Sequence, residues 1–364
     1  MDVSRRTRRG SRHRAMPIGM AMGLLAISVA TEAQAEPAQM KEESSVPRLG
    51  VSSADGSMSL ALGGFMQARY SLTAPAEAPI RSDVTLPRAR FYAFGQVASG
   101  RVRYRIGMGN PPDTNSIQFL DVYSEVKLVP EIRLRVGRFK IPVVREWVEA
   151  ARLLASVERS AVTRSVLPGR ELGAMLAGEP GDGVLDYAIG VFGGSGDRPF
   201  PRSTRTPGGG GRVVWNVLKR PIEGEADFTN SPSALAVGAS AFSTFPSEAN
   251  GNGGQIRIAG AEVAFRSHGF DLAMEAMVRE EGDTNWTRGG YVRADYFFAA
   301  VHGTLGVRVV RQASSDPLVP TTEVSVDAGY FHLGHDLKVI ADVGMAKLAR
   351  SWEPALAVQI QTGF

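Results

Sequence analysis

From Met58 to the C-terminus the chain keeps returning to one pattern, an apolar residue followed by a polar one. Arg101, Arg103 and Arg105 alternate with Val102, Tyr104 and Ile106, and Arg133 and Arg135 with Ile132, Leu134 and Val136. Leu120, Val122, Val126 and Leu128 alternate with Asp121, Tyr123, Glu125 and Lys127. Successive side chains of an extended strand point to opposite faces, so each run predicts a strand with one greasy and one charged face. Sixteen such strands are predicted, at about 58–70, 84–97, 101–109, 117–129, 131–140, 171–179, 184–193, 212–219, 234–243, 254–266, 269–280, 290–298, 301–311, 321–332, 335–346 and 354–364.

The connections sort into two classes. Short ones (Ala98–Gly100, Pro130, Glu179–Gly183, Ser267-His268, Ala299-Ala300, Leu333-Gly334) alternate with long ones (71–83, 110–116, 141–170, 194–211, 244–253, 281–289, 312–320, 347–353). One link, 220–233, breaks the rule by being long where a short turn is due. Short periplasmic turns, long outer loops and an even strand number mark an all-β transmembrane antiparallel β-barrel, porin-like, of about 16 strands. A soluble β-sandwich has no reason to sort its connections this way. The final strand carries Leu356, Val358, Ile360, Thr362 and Phe364 on one face. Its terminal aromatic resembles the recognition signal of outer-membrane barrels.

Hydropathy does not oppose this. No run after the first 35 residues nears the ~18 apolar residues of a spanning helix, and a mean hydropathy of −0.08 is what alternation produces. Residues 1–35 read as a secretory signal peptide: Arg5 to Arg14, an apolar stretch to Ala30, and Ala33-Gln34-Ala35 as a small-x-small cleavage site. The mature chain is then expected to start at Glu36, with 36–57 as a flexible polar tail and 58–364 as the barrel; the alternative for the leader is an uncleaved anchor. The leader holds six of the 41 Lys and Arg and two of the 37 Asp and Glu, which leaves 35 of each sign in the rest. That balance disfavours a nucleic-acid partner, since phosphate neutralisation needs a basic surplus. With no cysteine there is no disulfide, thiolate metal site or cysteine nucleophile.

Several short motifs then line up in order: Leu86-Pro87-Arg88-Ala89-Arg90-Phe91-Tyr92, Val136-Gly137-Arg138-Phe139-Lys140-Ile141-Pro142, Glu158-Arg159-Ser160, and Gly169-Arg170-Glu171-Leu172-Gly173. With the stretch Gly183 to Gly194 they resemble the phosphate-selective porin O and P family. The resemblance covers about 84–194 and is architectural afterwards. It implies a sixteen-stranded outer-membrane channel, usually a homotrimer in outer-membrane lipid, that passes small anionic solutes without a cofactor or metal.

Charge facing lipid is expensive, so the charged half of each strand is expected to face a watery lumen. Arg88, Arg90, Arg101, Arg103, Arg105, Arg133 and Arg135 would line one wall, where a guanidinium fork suits oxyanions such as phosphate. The plainer alternative is that they pair with Asp121, Glu125 and similar neighbours. In the third outer loop, Val148, Ala151, Leu154 and Ala155 fall on one face at helical spacing, which predicts a short helix. Porins commonly fold this loop inward, so the resemblance makes Lys140, Arg145, Arg152, Arg159 and Arg164 constriction candidates; the alternative is an outward cap. The Gly-rich stretch 193–211 lacks the Gly-Lys-Ser/Thr of a nucleotide loop and reads as a surface loop. His268, His302, His332 and His335 read as solvated turn residues and not as a catalytic set. No enzyme is expected; a barrel lipase and a surface receptor or adhesin are the competing functions.

Overall fold

A computed structural model describes residues 49–75, 78–110, 116–194, 206–245, 254–348 and 351–364. The leader and its cleavage site lie outside the described residues. A short strand β1 (Leu49–Ser52) precedes sixteen longer ones. These are β2 (Ser59–Thr73), β3 (Arg81–Val97), β4 (Val102–Gly109), β5 (Gln118–Val129), β6 (Ile132–Lys140), β7 (Arg170–Gly178), β8 (Leu185–Phe192) and β9 (Gly208–Asn216). They continue as β10 (Ala234–Thr244), β11 (Ile256–Ser267), β12 (Phe270–Glu281), β13 (Asn285–Phe298), β14 (Gly303–Ser314), β15 (Thr322–His335), β16 (Leu337–Leu348) and β17 (Ser351–Gly363). Each pairs antiparallel with the next, and β17 pairs with β2 to close a sixteen-stranded barrel. Phe364 extends that closing seam, exchanging backbone hydrogen bonds with Gly64 at 2.8 and 3.0 Å.

The two faces are the inverse of a soluble protein's. On β14, Leu305, Val307 and Val309 are 44–53% exposed, while Thr304, Arg308 and Val310 between them are at most 4% exposed. An apolar exterior around a charged interior, on a sheet closed on itself, is what strands set in lipid require. Register carries whole charge rows around the inside. Asp271, Asp295, Gly306, Asp327 and Asp342 are successive neighbours from β12 to β16.

Three departures from the expected pattern have local causes. Leu49–Ser52, placed in a featureless tail, instead pairs with Ser59–Leu62 on the part of β2 that β17 does not reach. Gly208–Gly211, assigned to a loop, forms the start of β9; a Cβ at Gly208 would meet the Phe242 ring within 3.0 Å, and one at Gly210 the Ala241 carbonyl and the Phe242 Cα and Cβ. Leu120 was grouped with the outward residues but is buried, because the β4–β5 register shifts between Ile106 and Met108.

A fourth irregularity fixes the candidate arginines. Val84 and Leu86 point outward and are exposed, so strict alternation would send Arg88 and Arg90 outward too. The register against β2 shifts between Gln67 and Arg69, leaving Pro87 in a bulge where no ladder donor is required. Asn110 holds the bulge: its Nδ2 donates to the carbonyls of Leu86 and Pro87 (3.1 Å each), and its Oδ1 accepts from Ala89 N (2.7 Å). Arg88 and Arg90 therefore turn inward and are buried. Deleting Pro87 removes the surplus residue, so Leu86 and Arg88 become consecutive and regular alternation keeps Arg88 and Arg90 inward, clear of the about 2–4 kcal/mol that an arginine facing lipid near the midplane costs. The intact protein and the deletion variant are both expected to show heat-modifiable gel migration; loss of it in the variant would refute the reading of Pro87 as the surplus residue of a bulge.

Candidate functional site

Residues 141–169 fold into the barrel. The segment contains α1 (Arg145–Val148), one 3-10 turn (Ala151–Leu153) and α2 (Ala161–Val166). Ile141, Val143, Val144, Trp147, Ala161, Val162 and Val166 pack on inward side chains of the strands, among them Met175, Phe192, Phe242, Ile258, Met277 and Val310. Each apolar side chain so covered contributes about 1.5–3 kcal/mol relative to water, so the loop is a fixed part of the interior. Phe139, Phe192 and Phe242 meet edge to face, 5.8 and 6.0 Å apart, forming the floor under it.

The single helix expected over this loop is broken into pieces, because side chains take the backbone groups a helix would use. Lys140 Nζ donates to the carbonyls of Trp147, Val148 and Glu149 at 2.8–3.0 Å. Arg159 donates to the carbonyls of Glu146 and Glu149 (2.8 and 2.7 Å). Lys338 on β16 takes those of Arg152 and Leu154 (2.8 and 2.6 Å), and Glu225 accepts from Ala155 N at 2.6 Å. Every buried carbonyl and amide needs a partner, and here the partners are cations and a carboxylate.

Most of the nominated basic groups are engaged in this scaffold. Arg88 donates to Gln67 Oε1 (2.9 Å) and Glu158 Oε1 (2.5 Å). Arg135 holds Glu125 at 2.7 Å and stacks on Tyr123, 4.3 Å from the ring centroid. Arg133 pairs with Glu179 (2.8 Å), and Arg105 lies over the Tyr92 ring at 4.1 Å. Arg90 is buried beside them, Arg103 faces inward in register with Glu125, and Arg101 is exposed at the turn. In the loop, Arg152 pairs with Asp336, and Arg145 donates to the Ile222 carbonyl at 3.1 Å. Arg164 donates to the Arg159 carbonyl (2.6 Å) and reaches Glu323 (3.4 Å), with 45% of its side chain open. Lys140 and Arg159 thus serve as clasps of the loop backbone.

Sequence reasoning missed several partners. Arg69 on β2 reaches Glu158 (3.2 Å) and Gln359 (2.8 Å); Arg308 on β14 reaches Glu323 (2.9 Å) and the Glu158 carbonyl (2.6 Å). Arg170 takes Asp121 at 3.0 Å. The apolar residues at inward positions, Met175, Phe192, Phe242, Ile258 and Met277, carried the signal for where the loop docks. His335 is not a solvated turn residue. It is buried, with Nε2 2.9 Å from the Glu225 carbonyl and Nδ1 3.1 Å from Lys338, while His332 points away and is exposed. Among the described residues no group of three or more His, Asp and Glu is placed to hold a metal ion.

Glu158 is the electrostatic centre of the loop. Burial pushes its carboxyl up, but Arg88, Arg69 and Arg159 outweigh burial and hold it well below the usual carboxylate range. Burial and then Arg88 pull Arg159 down to about 10, still charged at neutral pH.

No protein-family model and no curated protein matches the sequence. Solved structures do match. OmpF of Salmonella typhi, solved with daunomycin, aligns with a TM-score of 0.60 and 15% identity, over 85% of this chain and 98% of that one. The outer membrane channel DcaP of Acinetobacter baumannii aligns at 0.59 and 8% identity, over 86% and 99%. An anion-selective porin from Comamonas acidovorans aligns at 0.55 and 11%, over 84% and 100%. At these identities the likeness is one of fold, the closed barrel of bacterial porins.

A carboxylate with a depressed value in the folded state adds stability that is present above its unfolded value and lost as pH falls through its folded one. The docking of the loop by Glu158 is therefore expected to persist below about pH 4, where an ordinary glutamate protonates. A variant whose sole tryptophan is Trp147 reports this by fluorescence: emission stays constant on acidification to that point and changes only below it. A midpoint at or above the ordinary glutamate value would contradict the assignment.

Proposed function

We propose that this chain is an exported bacterial outer-membrane porin, a water-filled channel for passive diffusion of small solutes with a weak preference for anions. The observation that carries the reading is a closed barrel, apolar outside and charged inside, with a long loop packed across its lumen. Turns on the side of the C-terminus face the periplasm, and the long loops face outward.

The preference for anions follows from what touches water on the β3–β6 wall. Arg101 and Lys127 are exposed there, and Arg103, Arg105 and Arg133 are half-buried, whereas Glu125 among them is covered. Asp121 is half-buried there and Asp83 and Glu131 are exposed, so the wall shows water more cations than acids and focuses anions, with guanidinium forks replacing part of an oxyanion's hydration. Binding stays weak because Glu125 and Glu179 already share Arg133. Small oxyanions, phosphate among them, are the substrate class this supports. A homotrimer and removal of residues 1–35 after Ala35 belong to the same proposal and rest on the sequence alone.

Reconstituted into a planar bilayer under a KCl gradient, the protein is expected to give a reversal potential of anion-selective sign. A cation-selective value would overturn the anion and phosphate readings together.

A further inference from the structure

The link after β9 is long where the barrel scheme calls for a short turn, and the structure shows where that extra chain goes. Instead of hanging below the rim, 217–233 folds back into the barrel. Ile222 packs on Val214, Ala234, Ala236 and Ala264, the inward side chains of β9 to β11. Glu225 pairs with Arg293 of β13 and accepts from Ala155 N of the loop, while its own amide donates to the Leu153 carbonyl at 3.0 Å. The Phe228 ring sits against Phe297, Phe331 and His335, with centroids 4.9–5.1 Å away. The outer loop has thus come down the lumen far enough to be joined by the turn from the opposite end.

The consequence shows in exposure. On the side the two segments cover, strongly polar groups are shut off from solvent: Asp327 and Gln361 are 0% exposed, Lys338 1% and Thr304 4%. Across the lumen the pattern reverses. The side chains of Arg133, Arg212 and Glu179 remain 19%, 18% and 31% exposed, although they too face inward or sit at that rim. Toward the periplasmic end the wet charges lie on one side, where only the Glu125–Arg135 pair among those named is covered.

We propose that the inward link 217–233 and the loop 141–169 form a single two-ended plug that, in the periplasmic half of the lumen, seals the side of β11–β17, so that at that depth solute crosses only along the β3–β9 wall. This deepens the channel reading and rests on it. It makes the passage off-centre and assigns its selectivity at the periplasmic half to the charged groups still wet there, with Arg103, Lys127, Arg133 and Arg212 among the basic members. The acidic row on the far wall then contributes nothing to selectivity at that depth, because solute never meets it.

The natural absence of cysteine makes the test direct. Gln96→Cys and Thr304→Cys lie near the same end of the barrel, in β3 and β14, on the open and the sealed side. Both are treated with a charged methanethiosulfonate in liposomes and in planar bilayers. Gln96→Cys is expected to react rapidly and to lose conductance. Thr304→Cys is expected to react about 100-fold more slowly, limited by local opening of the plug, with conductance unchanged. Adding Phe228→Ala to Thr304→Cys loosens the plug and raises its rate. Equal rates at the two positions, or loss of conductance on labelling Thr304→Cys, would overturn the proposal. If no variant conducts at all, the channel reading fails, while the labelling rates still decide whether the seal exists.

Discussion

A strand in lipid must keep its charges on one side, and a barrel this rich in charge must then neutralise them inside itself. The rest of the structure follows from that constraint. The bulge at Pro87 exists where alternation would otherwise carry two arginines into the membrane. The interior answers the load by interleaving acids with bases: Glu158 between Arg69 and Arg88, Glu125 beside Arg135, Asp336 on Arg152, and Glu225, Asp271 and Asp295 around Arg293. Removing one member of such a buried pair leaves an uncompensated charge, which is far more costly than losing an exposed pair. The loop is therefore part of the neutralising network and is held by it.

Period-two alternation was enough to find the strands, because lipid outside and polar lumen inside impose opposite chemistry on adjacent residues. β16, with Val339, Val343 and Met345 against Lys338 and Asp342, announces both faces. The odd length of 220–233 was visible as well. Its meaning was not, since a chain folding back inside carries no periodic signal. Bulges are also silent: nothing in Leu86-Pro87-Arg88 beyond the proline says that the face changes there.

The candidate site was legible by position but not by partner. Arg133 and Arg135 face inward as alternation requires and Arg88 by way of the bulge, yet the carboxylates that engage Arg88, Arg133 and Arg135 lie 70, 46 and 10 residues away. Local propensity misled in the loop, where 145–159 has the composition of a helix. Lys140, Arg159, Lys338 and Glu225 compete successfully for its backbone groups; three of them come from outside that window and the fourth is its last residue. The same competition explains why Lys140 and Arg159, nominated for contact with solute, are occupied in holding the loop.

The four tryptophans offer the most direct test of the inside-out arrangement. Trp215, Trp286 and Trp352 stand on the outer face, while Trp147 is buried in the lumen. Single-tryptophan variants reconstituted into liposomes with bromine-labelled acyl chains, a contact quencher, separate the two environments. Strong quenching is predicted for the variants retaining Trp215 or Trp352, and none for the one retaining Trp147. Quenching of Trp147, or its absence at the other positions, would contradict a barrel that meets lipid with its apolar face and encloses its charges.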